Sequence, residues 1–418
     1  MRRRVLISLT SVLAVALLIA AVAQSRPDAT AGTIKIGWVG DKSGPTVASQ
    51  IPVLHAMQSY FRLINAQGGI RGNRIEMIEK DDSYSPAKEL ELVKSVINDD
   101  KVVLVTGIGN SSGFASILPV LTQAKVVGLS NQGTLKSATD PFQGYLMQGN
   151  CNYADQGDVA LGYLMTRLKL KNLNGVKVGI VGIAVSSGQE WNENLANNVK
   201  KLGGEPVVQT LPAAVINADV AVQAFESEKV RFILMHHAIP GGIAVLRSMA
   251  KYNLSVPISG SFGVTQDVVY ESSPYDAAKN FVGVNCATPP QYAKLPAKGK
   301  LAYTTGKRFG YPESEIGQQN WALGWANAML IVQGLRNVKG AFTPASVKAG
   351  LERVKNLDTG GLTPNMTLAA NCHMAIQQVR PYTYSYSRKQ MLPVGTYQQW
   401  SKYVTNAYAA PGTCGKKR

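Results

Sequence analysis

"VLVTGIGNSSGF", residues 103–114, drives an apolar run straight into a turn of small residues. Strand, abrupt turn and helix-forming residues make the repeating unit of an open α/β sheet. Three chemistries share these letters. Gly109-Asn110-Ser111-Ser112-Gly113 spells G-x-S-x-G, the strand-to-helix elbow of a serine hydrolase. Gly107-Ile108-Gly109 opens a dinucleotide fingerprint. The same turn could be a shelf of N–H groups and hydroxyls that holds an anion and performs no reaction.

The flanking sequence continues the alternation. "TIKIGWVG" (33–40) reads as a strand, Pro45 to Ala66 as a helix ended by Gly68-Gly69, and "RIEMIEKDD" (74–82) as a strand. Pro86 opens a helix to Asn98, "VVLVTG" (102–107) is a buried strand, a helix runs to Ala124, and "KVVGLS" (125–130) follows. A second set begins at "VKVGIVGI" (176–183). It continues through a helix over 189–202, "EPVVQTL" (205–211), a helix over 217–228, "VRFILMH" (230–236), a helix over 241–252 and "VPISGS" (256–261). Strands alternating with helices predict parallel sheets covered on both faces, and two sets predict two similar α/β domains. After "FVGVNCA" come helical patterns over 298–309, 318–335 and 344–354, then a β-rich tail from about Leu368. This order predicts that the chain returns to the first domain and finishes near the second. Several crossings between domains build a hinge.

Weighed against these surroundings, the three chemistries separate. A hydrolase needs an acid and then a histidine later in the chain, and Asp358 with His373 satisfies that order. Its elbow belongs on the central strand of one large sheet, however, whereas this turn follows the third strand of the first of two matched sets. The dinucleotide reading misplaces its third glycine by one residue and finds no acid about 20 residues on. The shelf needs only exposed donors at the carboxyl end of a strand, where open α/β sheets bind ligands. The next strand ends in "LSNQGT" (129–134), so Ser111, Ser112, Ser130 and Thr134 stand on neighbouring strand ends and can jointly hold a carboxylate.

Composition sets the address. Arg2, Arg3 and Arg4 precede an apolar run from Val5 to Ala23 that ends in Ala21-Val22-Ala23, the pattern of a cleaved secretory signal over 1–23. No later run is apolar and long enough to span a membrane. The rest of the 418 residues is long enough for two domains. The formal charge is +17, but Lys and Arg are scattered, which reads as a solvated basic surface and not as a nucleic-acid site. Four cysteines in an exported chain favour disulfides, and four allow three pairings. Cys151 and Cys286 stand near the crossings between domains, and Cys372 and Cys414 share the C-terminal segment, so those two pairs are expected. No C-x-x-C supports a zinc or redox site. His236 and His237 are adjacent on a strand and point to opposite faces, so they cannot readily share one metal ion. No cofactor or metal is expected.

"IKIGWVGDKSGP" and "INAQGGIRGNRIEMIEKDDSYSPAKELELVKSVI", with "VTGIGNSSG", "VVGLSNQGT" and "SSGQEWNENLANNVKKLGGE", resemble the branched-chain-amino-acid-type solute-binding proteins of ABC importers. The resemblance runs from about residue 33 to 395. It implies a type I periplasmic fold of two doubly wound Rossmann-like lobes, 33–150 plus 289–367 and 151–288 plus 368–418. It implies a periplasmic monomer that closes on one small ligand and docks on an inner-membrane permease, although a sensory subunit can use the same fold. Carried over, the two hydroxyl turns put Asn110, Ser111, Ser112, Ser130, Asn131, Gly133 and Thr134 on the ligand's carboxylate and amine. The loop from Asp41 to Gln50 faces the cleft, with Ser49 at the family's aromatic position. Ser187 replaces a tyrosine, and another wall falls on His236, His237 and Ala238. The acid that pairs a ligand ammonium aligns with Phe262, which offers a ring face instead. The implied ligand is a small carboxylate-bearing molecule, an amino acid, an aromatic acid or a related amide, and the ring at 262 favours a carboxylate or amide with an apolar or aromatic body. A shifted alignment would bring Glu190 or Asp267 to the ammonium.

Overall fold

The computed structural model describes residues 32–135, 138, 142–398 and 403. The expected signal segment and Cys414 lie outside them. Among the described residues twelve strands form two sheets. The first contains β1 (Thr33–Gly40), β2 (Arg74–Asp81), β3 (Leu104–Gly107), β4 (Val127–Ser130) and β5 (Leu146–Gln148), in the order β2-β1-β3-β4-β5 and parallel throughout. β3, β4 and the short terminal strand β5 are fully buried and carry no alternation. β2 is the edge strand, and its alternating apolar and charged residues fit a half-wet position.

The second sheet contains β6 (Lys177–Ile183), β7 (Glu205–Leu211), β8 (Phe232–His236), β9 (Ile258–Gly260), β10 (Phe281–Asn285), β11 (Arg380–Ser385) and β12 (Gln390–Pro393). Their order is β12-β11-β10-β9-β8-β6-β7. The chain's tail completes this sheet as an antiparallel hairpin, with Gly283 opposite Tyr382 and Tyr384 opposite Met391. Tyr270 stacks on Phe281 at 4.9 Å and on Tyr384 at 5.2 Å beneath that hairpin.

Helices α1 (Val47–Ala66), α2 (Pro86–Asn98) and α3 (Phe114–Ala124) connect the first sheet. Helices α4 (Tyr153–Arg167), α5 (Ser186–Lys201), α6 (Asp219–Ser227), α7 (Ile239–Lys251), α8 (Asp267–Glu271) and α9 (Tyr275–Ala278) serve the second. After β10 the chain goes back: α10 (Ala297–Arg308), α11 (Glu313–Ile316), α12 (Gln319–Arg336) and α13 (Pro344–Leu351) return to the first sheet's helical layer. α12 lies against α1 closely enough that a Cβ at Gly324 would collide with the Val53 carbonyl.

The expected strands and helices are present with bounds shifted by a few residues. One stretch differs more. The periodicity passes from Ser130 to Val176 without an element, yet β5 and α4 occupy that interval. β5 has only three residues. α4 is buried nearly all round, including Asp155, Gln156 and Asp158, so no amphipathic stripe announces it. Asp158 Oδ1 accepts across the helix pair from Asn194 at 3.0 Å and Asn198 at 2.7 Å, and Asp155 accepts from Asn152 Nδ2 at 2.8 Å.

Three segments join the lobes side by side. Residues after β5 and after β10 are tied by the Cys151–Cys286 disulfide, whose Cα atoms are 6.2 Å apart. The third runs beside β5, where Gln148 N donates to His373 O at 2.7 Å and Ala375 N donates to Gln148 O at 2.8 Å. Cys372 is not a free thiol, and its expected partner, Cys414, lies outside the described residues. Among the described residues no helix is long and apolar enough to cross a membrane.

Candidate functional site

Residues at the carboxyl ends of strands and the starts of helices in both sheets line one cavity. Gly107 ends β3 at φ +88°, and a Cβ there would collide with the Val39 carbonyl, so only glycine lets the 108–113 turn leave the sheet. On the neighbouring strand end, the Asp41 carboxylate organises the entry to α1. It accepts from Ser43 N at 3.1 Å, from Gly44 N, and from Thr46 N and Oγ1 at 2.7 Å. That anchor fixes Thr46 and Ser49 at the helix start, and Gln132 Nε2 reaches across to Ser49 O at 2.9 Å.

Between the sheets lies a cavity of about 40 Å³. Its first-lobe wall is Thr46, Ser49, Tyr84, Gly109 and Gln132. Its second-lobe wall is mainly rings: Tyr153, His236, His237 and Phe262, with Ile183, Ser187, Ala238 and Gly263 between them. Tyr153 stacks on Phe262 at 5.6 Å with planes 18° apart, and meets His236 at 4.1 Å, with Trp191 behind that histidine. Asp, Glu, Lys and Arg are all missing from the described lining. Burial, helped by His237, pushes His236 down to about 3, and burial holds His237 down at about 4, so both imidazoles are neutral at pH 7. His236 Nδ1 lies 2.7 Å from Ser261 Oγ and its Nε2 3.0 Å from Ser187 Oγ. His237 uses separate partners: Nε2–H faces Pro212 O at 3.1 Å and Nδ1 accepts from Ala238 N at 2.9 Å.

The lobes touch directly beside this cavity. Ser187 N donates to Ser111 Oγ at 3.1 Å, and Ser186 N donates to Ser112 Oγ at 3.2 Å. The N-cap residue of α5, Val185, has no capping side chain. The two serines of the opposite lobe therefore cap α5 in its place. Tyr153 Oη adds a third bridge to Gln132 O at 2.8 Å.

Six residues expected at the cleft line the cavity: Ser49, Ser187, His236, His237, Ala238 and Phe262. Ser111 and Ser112 are in the interlobe bridge. The others hold the turns together. Asn110 Oδ1 accepts from Ser112 N at 3.1 Å, and its Nδ2 donates to Tyr84 O at 2.7 Å. Ser130 Oγ donates to Ile108 O at 2.8 Å, and Thr134 Oγ1 donates to Cys151 O at 2.7 Å. Asn131 Oδ1 accepts from Thr106 Oγ1 and Gly107 N at 2.8 and 2.7 Å, while Gly133 packs against the Gly109 carbonyl. Thr46, Tyr84, Gln132 and Tyr153 were not singled out. Gln132 lies in "LSNQGT", Tyr84 in "DDSYS" and Thr46 in the loop from Asp41 to Gln50, whereas Tyr153 lies in the interval that carries no periodic signal.

Other expectations are settled by position. Asp358 pairs with Lys298 at 3.0 Å, and His373 contacts Glu352 at 3.0 Å and Gln143 O at 2.9 Å. The structure does not bring this acid and histidine to Ser111, so the hydrolase constellation is not assembled. Asp267 accepts from Met391 N at 3.0 Å beneath β12, and burial with Glu271 beside it pushes it up to about 7. Glu190 lies near the Tyr153 phenol. Among the described residues one acidic cluster has metal-like spacing, Asp41 with Asp81 and Asp82. Its carboxylates serve loop N–H groups, including Lys42 N and Ser83 N on Asp81 and Tyr84 N on Asp82.

The comparisons agree with this geometry. The chain is 23% identical over 270 residues to the Leu/Ile/Val-binding protein of Citrobacter freundii, covering 64% of this chain and 71% of that protein. The branched-chain amino acid ABC transporter structure from Thermus thermophilus with bound valine superposes with a TM-score of 0.79 at 18% identity, covering 89% and 98% of the two chains. A solute-binding protein of an ABC transporter from Rhodopseudomonas palustris in complex with benzoate superposes with a TM-score of 0.73 at 17% identity, covering 87% and 96%. A family model described as periplasmic binding protein matches residues 33–389, so two lobes closed around a small uncharged cleft are here the work of a member of that family.

Proposed function

We propose that this protein is the extracytoplasmic ligand-capturing subunit of an ABC importer, and that its ligand is a small carboxylate with an apolar or aromatic body. The lobes that close are 33–150 with 289–367 and 151–288 with 368–418, and the closed monomer docks on an inner-membrane permease. One observation carries the ligand class: the cavity lacks an acid, while helix N-termini converge on it. α1, α4, α5 and α7 all begin at or beside lining residues, at Val47, Tyr153, Ser186 and Ile239. Their positive dipole ends favour an anion. A buried ammonium would meet no acid in the described lining and no favourable dipole, at a cost of several kcal/mol. In this reading the carboxylate rests on the first-lobe donors beside Thr46, Ser49 and Gln132. The body lies against Phe262 and Tyr153, with His237 and Ser187 at its edge. The turns of Asn110–Ser112 and Ser130–Thr134 hold that first-lobe wall in place.

The names of relatives are compatible with it, since one neighbour holds valine and another benzoate. The test is a thermal-shift and calorimetry panel of leucine, phenylalanine, their deaminated analogues and benzoate on the mature chain. A ligand at 100 times its dissociation constant adds about 2.7 kcal/mol of stability. Deaminated acids or benzoate should give the larger shifts. Tight leucine binding that is lost on deamination would overturn the reading and direct attention to Glu190.

A further inference from the structure

Tyr84 and Ser83 adopt an unusual backbone. Both lie in the left-handed region, at φ +61° and +51°, where non-glycine residues are rare and consecutive ones rarer. The surroundings hold them there. Tyr84 N donates to Asp82 Oδ1 at 2.7 Å, and Tyr84 O accepts from Asn110 Nδ2 at 2.7 Å. Ser83 N donates to Asp81 Oδ1 at 2.9 Å, and Ser85 N to Asp82 O at 2.9 Å. Asp82 and Asn110 are themselves buried. Gly44 sits so close that a Cβ there would lie 2.8 Å from Ser83 O. A turn between β2 and α2 does not need this conformation, but with it Tyr84 lines the cavity. Among the described residues the phenol hydroxyl has no hydrogen-bond partner, although every other polar group of this residue has one. Burial and the carboxylates of Glu89, Asp41 and Asp82 around it keep the phenol protonated, so it remains a donor.

We infer that Tyr84 is a ligand-contacting, specificity-determining residue of the first lobe, donating to an oxygen of the bound carboxylate, and that Asn110 is its positioning residue. The inference rests on the carboxylate reading of the cleft. Strain concentrated where an unpartnered donor faces a cavity is a pattern of preorganised sites. Asn110 acts through Tyr84: one side-chain group grips the Tyr84 carbonyl and the other fixes the serine turn. Without that grip the left-handed turn relaxes and the phenol leaves its place.

The experiment titrates the mature chain calorimetrically with benzoate, 3-phenylpropanoate, 4-methylpentanoate, leucine and phenylalanine. It then repeats the tightest of these with Tyr84→Phe, Asn110→Ala and the double variant. Tyr84→Phe should weaken binding about tenfold or more at an unchanged melting temperature, the scale of a lost hydrogen bond to a charged group. Asn110→Ala should weaken it similarly, and the double variant should lose no more than the larger single loss. Wild-type affinity in Tyr84→Phe would overturn the inference and leave the carboxylate reading standing. Additive losses would make Asn110 an independent contact and overturn its positioning role. A wild type that binds no panel member overturns the carboxylate reading and this inference with it. Tyr84→Phe keeps every backbone contact, so it decides the main point even where Asn110→Ala does not fold.

Discussion

Removing both serines that cap the opposite lobe's helix tests how the cleft is held shut. In Ser111→Ala/Ser112→Ala the N–H groups of Ser186 and Ser187 lose their acceptors, and the Ser186 hydroxyl loses its 3.3 Å contact with Ser112 Oγ. Each such bond contributes about 0.5–1.5 kcal/mol net, and deleting a helix cap costs ~1 kcal/mol. Water replaces the serines when the lobes are apart, so the loss falls on the closed form alone. Closure should therefore weaken by roughly 1–3 kcal/mol, and ligand affinity by about 5- to 150-fold. The lobes' own packing is untouched, because α3 begins at Phe114 and the turn retains Asn110 Oδ1 as its local cap. Calorimetric titration would read the affinity, and small-angle scattering would read the open fraction without ligand. Thr134→Ala is the control: its hydroxyl serves Cys151 O inside the hinge, so its cost belongs to melting temperature. Unchanged affinity and unchanged scattering in the double variant would show that the cross-lobe cap contributes nothing to closure.

Phe262→Glu should weaken carboxylate binding by ~100-fold or more, because it buries a charge against the ligand's own, and it should raise leucine affinity in the same titration. Cys151→Ser/Cys286→Ser should lower stability by roughly 2–5 kcal/mol in denaturant melts, as expected for a crosslink closing a long loop. Non-reducing peptide mapping should recover Cys151–Cys286 and Cys372–Cys414 peptides, and any crossed pair refutes the assignment. Asp267 is raised from 3.8 to about 7, so the native state holds its proton over a pH range where the unfolded chain has lost it. Its contribution is complete below about pH 4 and is lost as pH rises toward 7. Asp267→Asn should therefore flatten the stability decline between pH 4 and 7 by roughly 2–4 kcal/mol, and an unaltered profile would refute the buried-acid account.

Most of the fold is legible because its strands and helices repeat with different periods, and glycine marks the ends. The bounds of β1, at Thr33–Gly40, and α2, at Pro86–Asn98, follow from those signals alone. α4 is hidden for a physical reason. A helix buried on nearly every side needs no apolar stripe, and its Asp158 is met by Asn194 and Asn198 of the next helix while Asp155 is met by Asn152 at its own start. The site is less legible than the fold. Ser49, Ser187, His237 and Phe262 reach the cavity because each sits at the carboxyl end of a strand or the start of the helix after it. Ser130, Asn131 and Thr134 occupy equivalent places, yet their side chains turn inward to carbonyls and N–H groups. Sequence gives the position of a hydroxyl but not its χ1. Tyr84 reaches the cleft only through two left-handed residues, and no residue type in "DDSYS" signals them.

The electrostatics of the cleft follow from its topology. A parallel sheet starts every following helix at the same edge, so a two-lobed fold directs several positive helix ends at one cavity. A zwitterion needs an acid to offset that field at its ammonium. The resemblance puts Phe262 at that position, and in the structure its ring stacks with Tyr153. Phe262 N in turn donates to Gln156 Oε1 at 2.7 Å, and Gln156 Nε2 donates to Cys151 O at 2.8 Å. The aromatic wall is therefore fastened to the disulfide that joins the lobes. His236 fits the same logic. An imidazolium there would pair with an anionic ligand, but burial keeps the ring neutral and commits both nitrogens to serine hydroxyls. Charge complementarity is left to backbone dipoles and to neutral donors of the lining, which lose no proton between pH 5 and 8, while Asp82, bonded to Tyr84 N behind the lining, is pushed up to about 6 by burial. Ligand affinity should therefore change by less than tenfold across that range for an acid already ionised at pH 5. Calorimetry at pH 5, 6.5 and 8 checks this directly, and a tenfold loss on raising the pH would reveal a protonated histidine or carboxyl at the ligand and refute a neutral cleft.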